Sequence, residues 1–299
     1  MSTIDRPAMQ TPGFAGEPPR EIAPDDPSQV ERTIKPSRGW IAIDWKELYH
    51  SRELFDTLIM RDIKIRYKQT VLGVFWAILQ PLATMIVLSL VFGSFTGAKP
   101  EGVPYPLFIF AGLVPWTFFS SSVGGAGVSL LSQQHLLTKI YFPRLYVPAS
   151  IVGANLVDMA IGLGLFGFLM PFYHFVPSAN LVFLPFVIVL TFAAALGIGL
   201  VLASITILYR DLRFVIPFVM QLMMFASPLL LQMSKLSTKV QFLIAFNPMS
   251  GIITTFRWCI LGMPLDLRAL LISIFMTTVF LTFGLFFFRK SERFFADIL

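Results

Sequence analysis

The sequence predicts an all-α integral membrane protein. It should have six transmembrane helices, an N-terminal interfacial amphipathic helix, and two short re-entrant helices between spans five and six. Three observations lead there. Hydrophobic residues make up 56% of the 299 residues and charged residues only 13%, against about a quarter charged in a soluble domain. Several runs approach or exceed about 20 apolar residues, and each can cross roughly 30 Å of hydrocarbon as a helix. The basic residues also fall unevenly on the two sides that these runs would define. A soluble helical protein would rarely place several nearly uncharged runs of spanning length in one core.

Residues 1–39 are of another kind. They hold seven prolines, mixed charges and almost no aromatic residue. Such a segment cannot bury enough apolar surface to offset its ordering entropy, so it reads as a disordered cytoplasmic tail. It lacks the basic start and short apolar core of a signal peptide. Residues 40–70 follow as an amphipathic interface helix. Leu48, Phe55, Leu58 and Ile59 share one helical face, with Trp45 near its edge, while Lys46, Arg52, Glu53 and Asp56 punctuate the rest. This fits a helix lying in the membrane interface with its apolar side down. A soluble helix packed on a partner protein fits the same pattern.

Residues 71–299 form the six-span transmembrane domain. The spans are expected near 71–95, 105–128 (interrupted by Pro115), 147–172, 181–208, 214–233 and 269–288. Between the last two, Phe242 to Met263 is apolar but broken by Asn247-Pro248, and it carries Arg257. Proline removes a backbone donor and interrupts a straight helix. Two short helices that dip into the outer leaflet and return are therefore expected, covered by protein as re-entrant backbone requires.

Charge decides between six spans and seven. With six, one side collects 18 of the 23 basic residues, and the other keeps Lys99, Lys235, Lys239, Arg257 and Arg268. That asymmetry places both termini in the cytoplasm. A seventh span would send Arg289, Lys290 and Arg293 outside, against the same rule.

The composition also excludes function classes. Cys259 is the one cysteine, which rules out an internal disulfide and a cysteine-based metal site. His50, His135 and His174 are far apart and not in a metal-binding spacing. The net charge of +6 follows from basic residues flanking cytoplasmic span ends and does not call for nucleic acid. No stretch fits a glycine-rich phosphate cradle, so no cofactor is expected on this chain. If transport is ATP-driven, ATP and magnesium belong to another subunit. No catalytic constellation is present either.

Asp158 is the one acid well inside a span. A carboxylate at the bilayer centre costs about 2.5–3.5 kcal/mol on insertion scales. It should line a pore or bridge helices, or else sit as a structural acid near a span's end; both readings stay open. Gln80 and Gln221 are the other polar residues assigned to the pore or membrane interior. The short loop Gln133–Pro148 mixes basic residues with Leu136, Leu137, Ile140, Tyr141 and Phe142. Apolar groups in such numbers on a cytoplasmic loop suggest a docking surface, or anchoring of Tyr and Phe among lipid headgroups. The 43 aromatic residues belong mostly at the lipid face or interface; a minority could pack on sugar rings along a path.

Several segments resemble a known family. RDIKIRYKQTVLGVFWAILQPL, Arg61 to Leu82, is similar to the approach to the first span in type-2 ATP-binding-cassette export permeases. The likeness is greatest to the branch exporting O-antigen, capsule polysaccharide and teichoic acid. LLTKIYFPRLYVP, Leu136 to Pro148, resembles that family's segment between spans two and three. YRDLRFVIPFVMQLMMFASPLLL, Tyr209 to Leu231, resembles its fourth-to-fifth-span signature, and Asn247-Pro248 and ERFFADIL, Glu292 to Leu299, also fit. The resemblance covers about residues 43–299, and the 1–39 tail is longer than it leads one to expect.

The resemblance implies a homodimeric permease in a bacterial cytoplasmic (inner) membrane, paired with two separate ATP-binding-cassette ATPase subunits. It implies a channel for a lipid-linked glycan at the dimer interface. On that reading Leu136, Leu137, Lys139, Tyr141, Phe142, Pro143 and Arg144 form the ATPase-coupling surface, with the amphipathic helix beside it. Arg61, Arg66, Arg210, Asp211 and Arg213 are assigned to a cytoplasmic gate or to the carrier headgroup, with structural capping as another role for Asp211. A drug or small-lipid exporter of the same superfamily is the nearest rival. A membrane enzyme acting on lipid-linked sugars lacks its clustered acids and histidines, and an ion-coupled transporter lacks its chain of titratable groups.

Overall fold

A computed structural model describes residues 49, 51–68, 73–95, 100, 102–134, 142–230 and 237–298, all within a unit spanning residues 41–299. The expected tail and Leu136, Leu137, Lys139 and Tyr141 lie outside the described residues. Among the described residues every regular element is a helix: α1 Arg52–Lys68, α2 Gly73–Phe95, α3 Tyr105–Ser132, α4 Tyr146–Phe172, a 3₁₀ turn Ala179–Phe183, α5 Leu184–Leu208, α6 Leu212–Phe225, α7 Thr238–Ala245, α8 Pro248–Leu261 and α9 Leu267–Ile298.

Five stretches, in α2, α3, α4, the 3₁₀ turn with α5, and α9, are long and apolar enough to cross a membrane. α6 is not. Expected from 214 to 233, it ends at Phe225 and passes into a turn. Its 14 residues span only about 21 Å at 1.5 Å per residue. Pro115 does not interrupt α3, which runs through it. The last helix overshoots its expected end at 288 by ten residues.

α3 is the centre of the bundle. It packs against α4 and α5, and α9 packs on the far side of α5. Leu107, Ile109, Phe110 and Val123 are fully buried, and Phe110 stacks on Phe166 of α4 with ring centroids 5.6 Å apart. Where water does not drive helices together, close backbone approach does. Gly284 of α9 meets Gly197 of α5 so tightly that a Cβ at Gly284 would lie 2.3 Å from the Gly197 carbonyl oxygen. Gly251 of α8 abuts Ala269 of α9 in the same way, with 2.2 Å to its carbonyl.

The Asn247-Pro248 break falls between α7 and α8 as expected. Asn247 caps α8 by accepting from the Met249 N–H at 3.0 Å, and Pro248 needs no amide at this first helical position. Gly262, in the left-handed region at φ 68°, closes the helix, a conformation that carries no penalty without a Cβ. α8 is buried along most of its length, Arg257 included. A charge counted on an outer flank is thus inside the protein.

A second apolar cluster sits at one end of the bundle. Leu58 of α1, Phe142, Tyr146 of α4, Ile207 of α5, and Phe288 and Phe295 of α9 are all buried in it. Phe55 lies 5.2 Å from the Tyr146 ring, and Ile59 fills the space beside Gly153. The apolar side of α1, expected to face lipid, therefore lies in good part on α4.

Candidate functional site

α1 carries Arg66 and Tyr67 on its last turn, and packing of Leu58 and Ile59 on α4 fixes where that turn points. On α4, Asn155 and Asp158 are three residues apart and so share a face. Arg66 Nη1 donates to Asn155 Oδ1 at 2.6 Å and forms an ion pair with Asp158 Oδ2. The Tyr67 hydroxyl donates to the other Asp158 oxygen. Asn155 in turn donates from Nδ2 to Ser122 Oγ of α3 at 3.0 Å. Five side chains on three helices thus form one network, from a fully buried Ser122 to half-exposed Arg66 and Asp158.

Burial, and then the hydrogen bond and charge of Asp158, push the Tyr67 phenol above the ordinary tyrosine range. A raised tyrosine pKa keeps the hydroxyl protonated, so Tyr67 remains a donor to Asp158 throughout the neutral range; its contribution is lost only on strongly alkaline titration. Compensation by Arg66 and Tyr67 answers the cost of placing a carboxylate in a span. Of the roles left open for Asp158, this geometry is helix bridging.

The network forms one wall of a cleft of about 340 Å³. The other walls are Trp76, Gln80 and Thr84 of α2 and Thr117, Phe118, Ser120 and Ser121 of α3. The Arg66–Asp158 ion pair, amides and hydroxyls therefore share one space with apolar and aromatic surface. Such a site can hold a polar or anionic headgroup while its attached chain stays in an apolar setting.

Three of the residues singled out in the sequence meet here: Arg66, Asp158 and Gln80. The others do not. Arg61 turns to Asp62 at 2.8 Å, and Asp62 accepts from Ser150 Oγ at 3.1 Å, a second tie between α1 and α4. Arg210, Asp211 and Arg213 are exposed at the α5–α6 turn. Asp211 occupies the N-cap position of α6 without a side-chain capping bond, and the Arg213 guanidinium lies 4.6 Å over the Phe214 ring. Gln221 is exposed on α6, away from the cleft.

Three residues of the expected docking surface are held within the chain. Phe142 is only 7% exposed. Arg144 Nη1 donates to the Glu292 carbonyl of α9 at 2.9 Å, and Pro143 is buried. Phe142 and Arg144 both meet the end of α9, a helix extension that was not expected. Tyr67, Asn155 and Ser122 were missed as site residues; the signal available was Asp158 itself, which had to find a polar partner.

Comparison with known proteins gives a consistent picture. The family described as ABC-2 type transporter matches residues 53–261. An O-antigen export system permease protein of Myxococcus xanthus is 33% identical over 215 residues, 71% of this chain and 82% of that one. A Klebsiella pneumoniae O-antigen export system permease protein is 25% identical over 85% of this chain and 99% of its own. A polysialic acid transport protein of Escherichia coli is 23% identical over 80% and 93%.

Proposed function

The chain belongs to the ABC-2 type transporter family, and from that premise we propose that it is the membrane permease subunit of an ATP-driven polysaccharide exporter. Its cargo is a lipid-linked glycan of O-antigen, capsule or teichoic-acid type. Two copies form the channel in a bacterial cytoplasmic membrane, and two separate ATPase subunits supply the energy. The observation that carries the reading is the cleft lined by Arg66, Asp158 and Gln80. It sets the Arg66–Asp158 pair, amides and hydroxyls beside apolar surface, which suits the polar head of a lipid-linked glycan, whose phosphate would compete with Asp158 for Arg66. The relatives' names point the same way.

Six crossings remain the assignment that keeps basic residues on one side, with α6 and the residues after it making the fifth. α7 and α8, of 8 and 14 residues, reach only about 12 and 21 Å, so they enter and return instead of spanning. α2 and α6 leave Phe75, Trp76, Leu90, Phe214, Phe218 and Phe225 exposed, apolar faces that a second copy and lipid would cover.

In this scheme Leu136, Leu137, Lys139 and Tyr141 touch the ATPase. Phe142 and Arg144 anchor the returning strand of that loop to α1, α4 and α9, so the loop's motion reaches the bundle through the second apolar cluster.

The test is reconstitution of the permease with its ATPase in phospholipid vesicles. ATP hydrolysis should rise with a defined lipid-linked glycan. Arg66→Gln should raise the half-maximal glycan concentration about tenfold, the loss of a charge-assisted contact. Stimulation by small lipids or drugs but not by lipid-linked glycan would replace this reading with that of a small-lipid exporter.

A further inference from the structure

Arg257 is the largest fully buried side chain near the α7–α8 pair, and the cleft network makes no use of it. Its guanidinium spends its fork on backbone. Nε donates to the Phe108 carbonyl of α3 at 3.2 Å. Nη1 and Nη2 donate to the carbonyls of Pro228 and Leu229, each at 2.6 Å. The group also lies 3.6 Å over the Phe108 ring. Gly112 leaves room for it: a Cβ there would be 2.8 Å from Nη2.

Pro228 and Leu229 stand just past the end of α6, where a helix leaves carbonyls without intrahelical donors. The next carbonyl, Leu230, accepts from the Tyr105 hydroxyl at 3.1 Å. Ser227 Oγ accepts from Asn247 Nδ2 at 2.9 Å. This end of α6 is therefore held by α3 and α8 together. Along the rest of α6 only Ile216 is buried, and Phe214, Phe218, Leu222 and Phe225 are exposed. The helix is tied by hydrogen bonds at this end, while along its length Ile216, Met220, Met223 and Met224 meet the core through apolar contact alone.

We propose that Arg257 is a positioning residue that makes the outer end of α6 a pivot during export. Motion delivered to the exposed turn at Arg210–Arg213 then tilts α6 about that point and leaves α7 and α8 in place. This rests on the export reading above. A planar five-donor fork can hold two successive carbonyls and a third on another helix at once, which an ammonium point charge cannot do with the same geometry.

The test compares the full chain with Arg257→Gln and Arg257→Lys, all in a Cys259→Ala background. Amide hydrogen exchange of the purified proteins is read at Ala226, Ser227 and Leu229, the amides of residues 226–229, and, as reference, along α3. Export is read in membranes with the partner ATPase present. Arg257→Gln should speed exchange at 226–229 by about tenfold or more with α3 unchanged, and cut export by a similar factor at equal amounts of inserted, ATPase-bound protein. Arg257→Lys should fall between. A disulfide from Ser227→Cys with Asn247→Cys, added to Arg257→Gln, should restore both on oxidation and lose both on reduction.

Unchanged exchange in Arg257→Gln would overturn the clamp whatever the protein transports. Faster exchange with normal export, or a staple that restores exchange but not export, would overturn the pivot. A wild-type chain that exports no glycan would defeat the export reading, and the exchange measurement would still judge the clamp. Should the Gln variant fail to fold, Arg257→Lys carries the same comparisons.

Discussion

The side chains of Arg66 and Asp158, 92 residues apart in the chain, form an ion pair that joins the last turn of α1 to the middle of α4. The pair closes one wall of the polar cleft, and it explains how a span tolerates a carboxylate.

Asp158→Asn should fold and insert well, because an amide of the same size keeps one oxygen to accept from Arg66 and can donate from its Nδ2 to the Tyr67 hydroxyl oxygen. Asp158→Leu should be worse, since it leaves the Arg66 and Tyr67 donors facing an apolar group. With both partners partly exposed, an Arg66→Met, Asp158→Leu cycle should give a coupling of about 1 kcal/mol or less, read from thermal midpoints in detergent. Export by Asp158→Asn at matched expression should stay near wild type. Complete loss would indicate that the carboxyl must titrate.

Phe142→Ala should lower stability by about 3 kcal/mol, the usual cost of emptying a buried aromatic site. Arg144→Ala removes one charge-assisted bond to the end of α9 and should cost about 1.5–3 kcal/mol. Thermal unfolding of each purified variant checks this. A Phe142→Ala protein as stable as wild type, yet unable to hold its ATPase, would make Phe142 a direct ATPase contact.

Gly284→Ala should destabilise, because its methyl group would meet the Gly197 backbone at 2.3 Å and force α5 and α9 apart. Gly164→Ala, with open space at its Cβ, should be neutral or gain up to about 1 kcal/mol from helix propensity. Protease resistance and thermal midpoints of the two variants should move in opposite directions.

Single cysteines in a Cys259→Ala background test sidedness. Ser237→Cys should react with an impermeant maleimide in intact cells, and Asp211→Cys only after the membrane is opened. Both positions are exposed, so access and not burial decides the result. Labelling of Ser237→Cys from the cytoplasmic side alone would defeat the six-crossing assignment.

The all-helical class and five of the expected spanning helices, in their order, were legible in the sequence because each needs only its own run of residues to satisfy its backbone in lipid. The break at Asn247-Pro248 was legible too, since it is written in local backbone chemistry. Local patterns misjudged elements whose limits depend on neighbours. α3 tolerates Pro115 because packing surrounds it. α9 continues to Ile298 while Phe288 and Phe295 bury themselves in the cluster formed with Leu58, Tyr146 and Ile207.

The sequence by itself determined that Asp158 had to find a polar partner and that Arg257 was a charge among apolar residues. Only the tertiary structure decided who answers them: Arg66 and Tyr67 for one, the carbonyls of Phe108, Pro228 and Leu229 for the other. The reason is physical. An amphipathic helix carries its apolar stripe in its own sequence. A polar group inside a bilayer is satisfied by whichever donor or acceptor the packing of distant helices brings within about 3 Å, and that distance is set by the glycines and bulky side chains at the crossings.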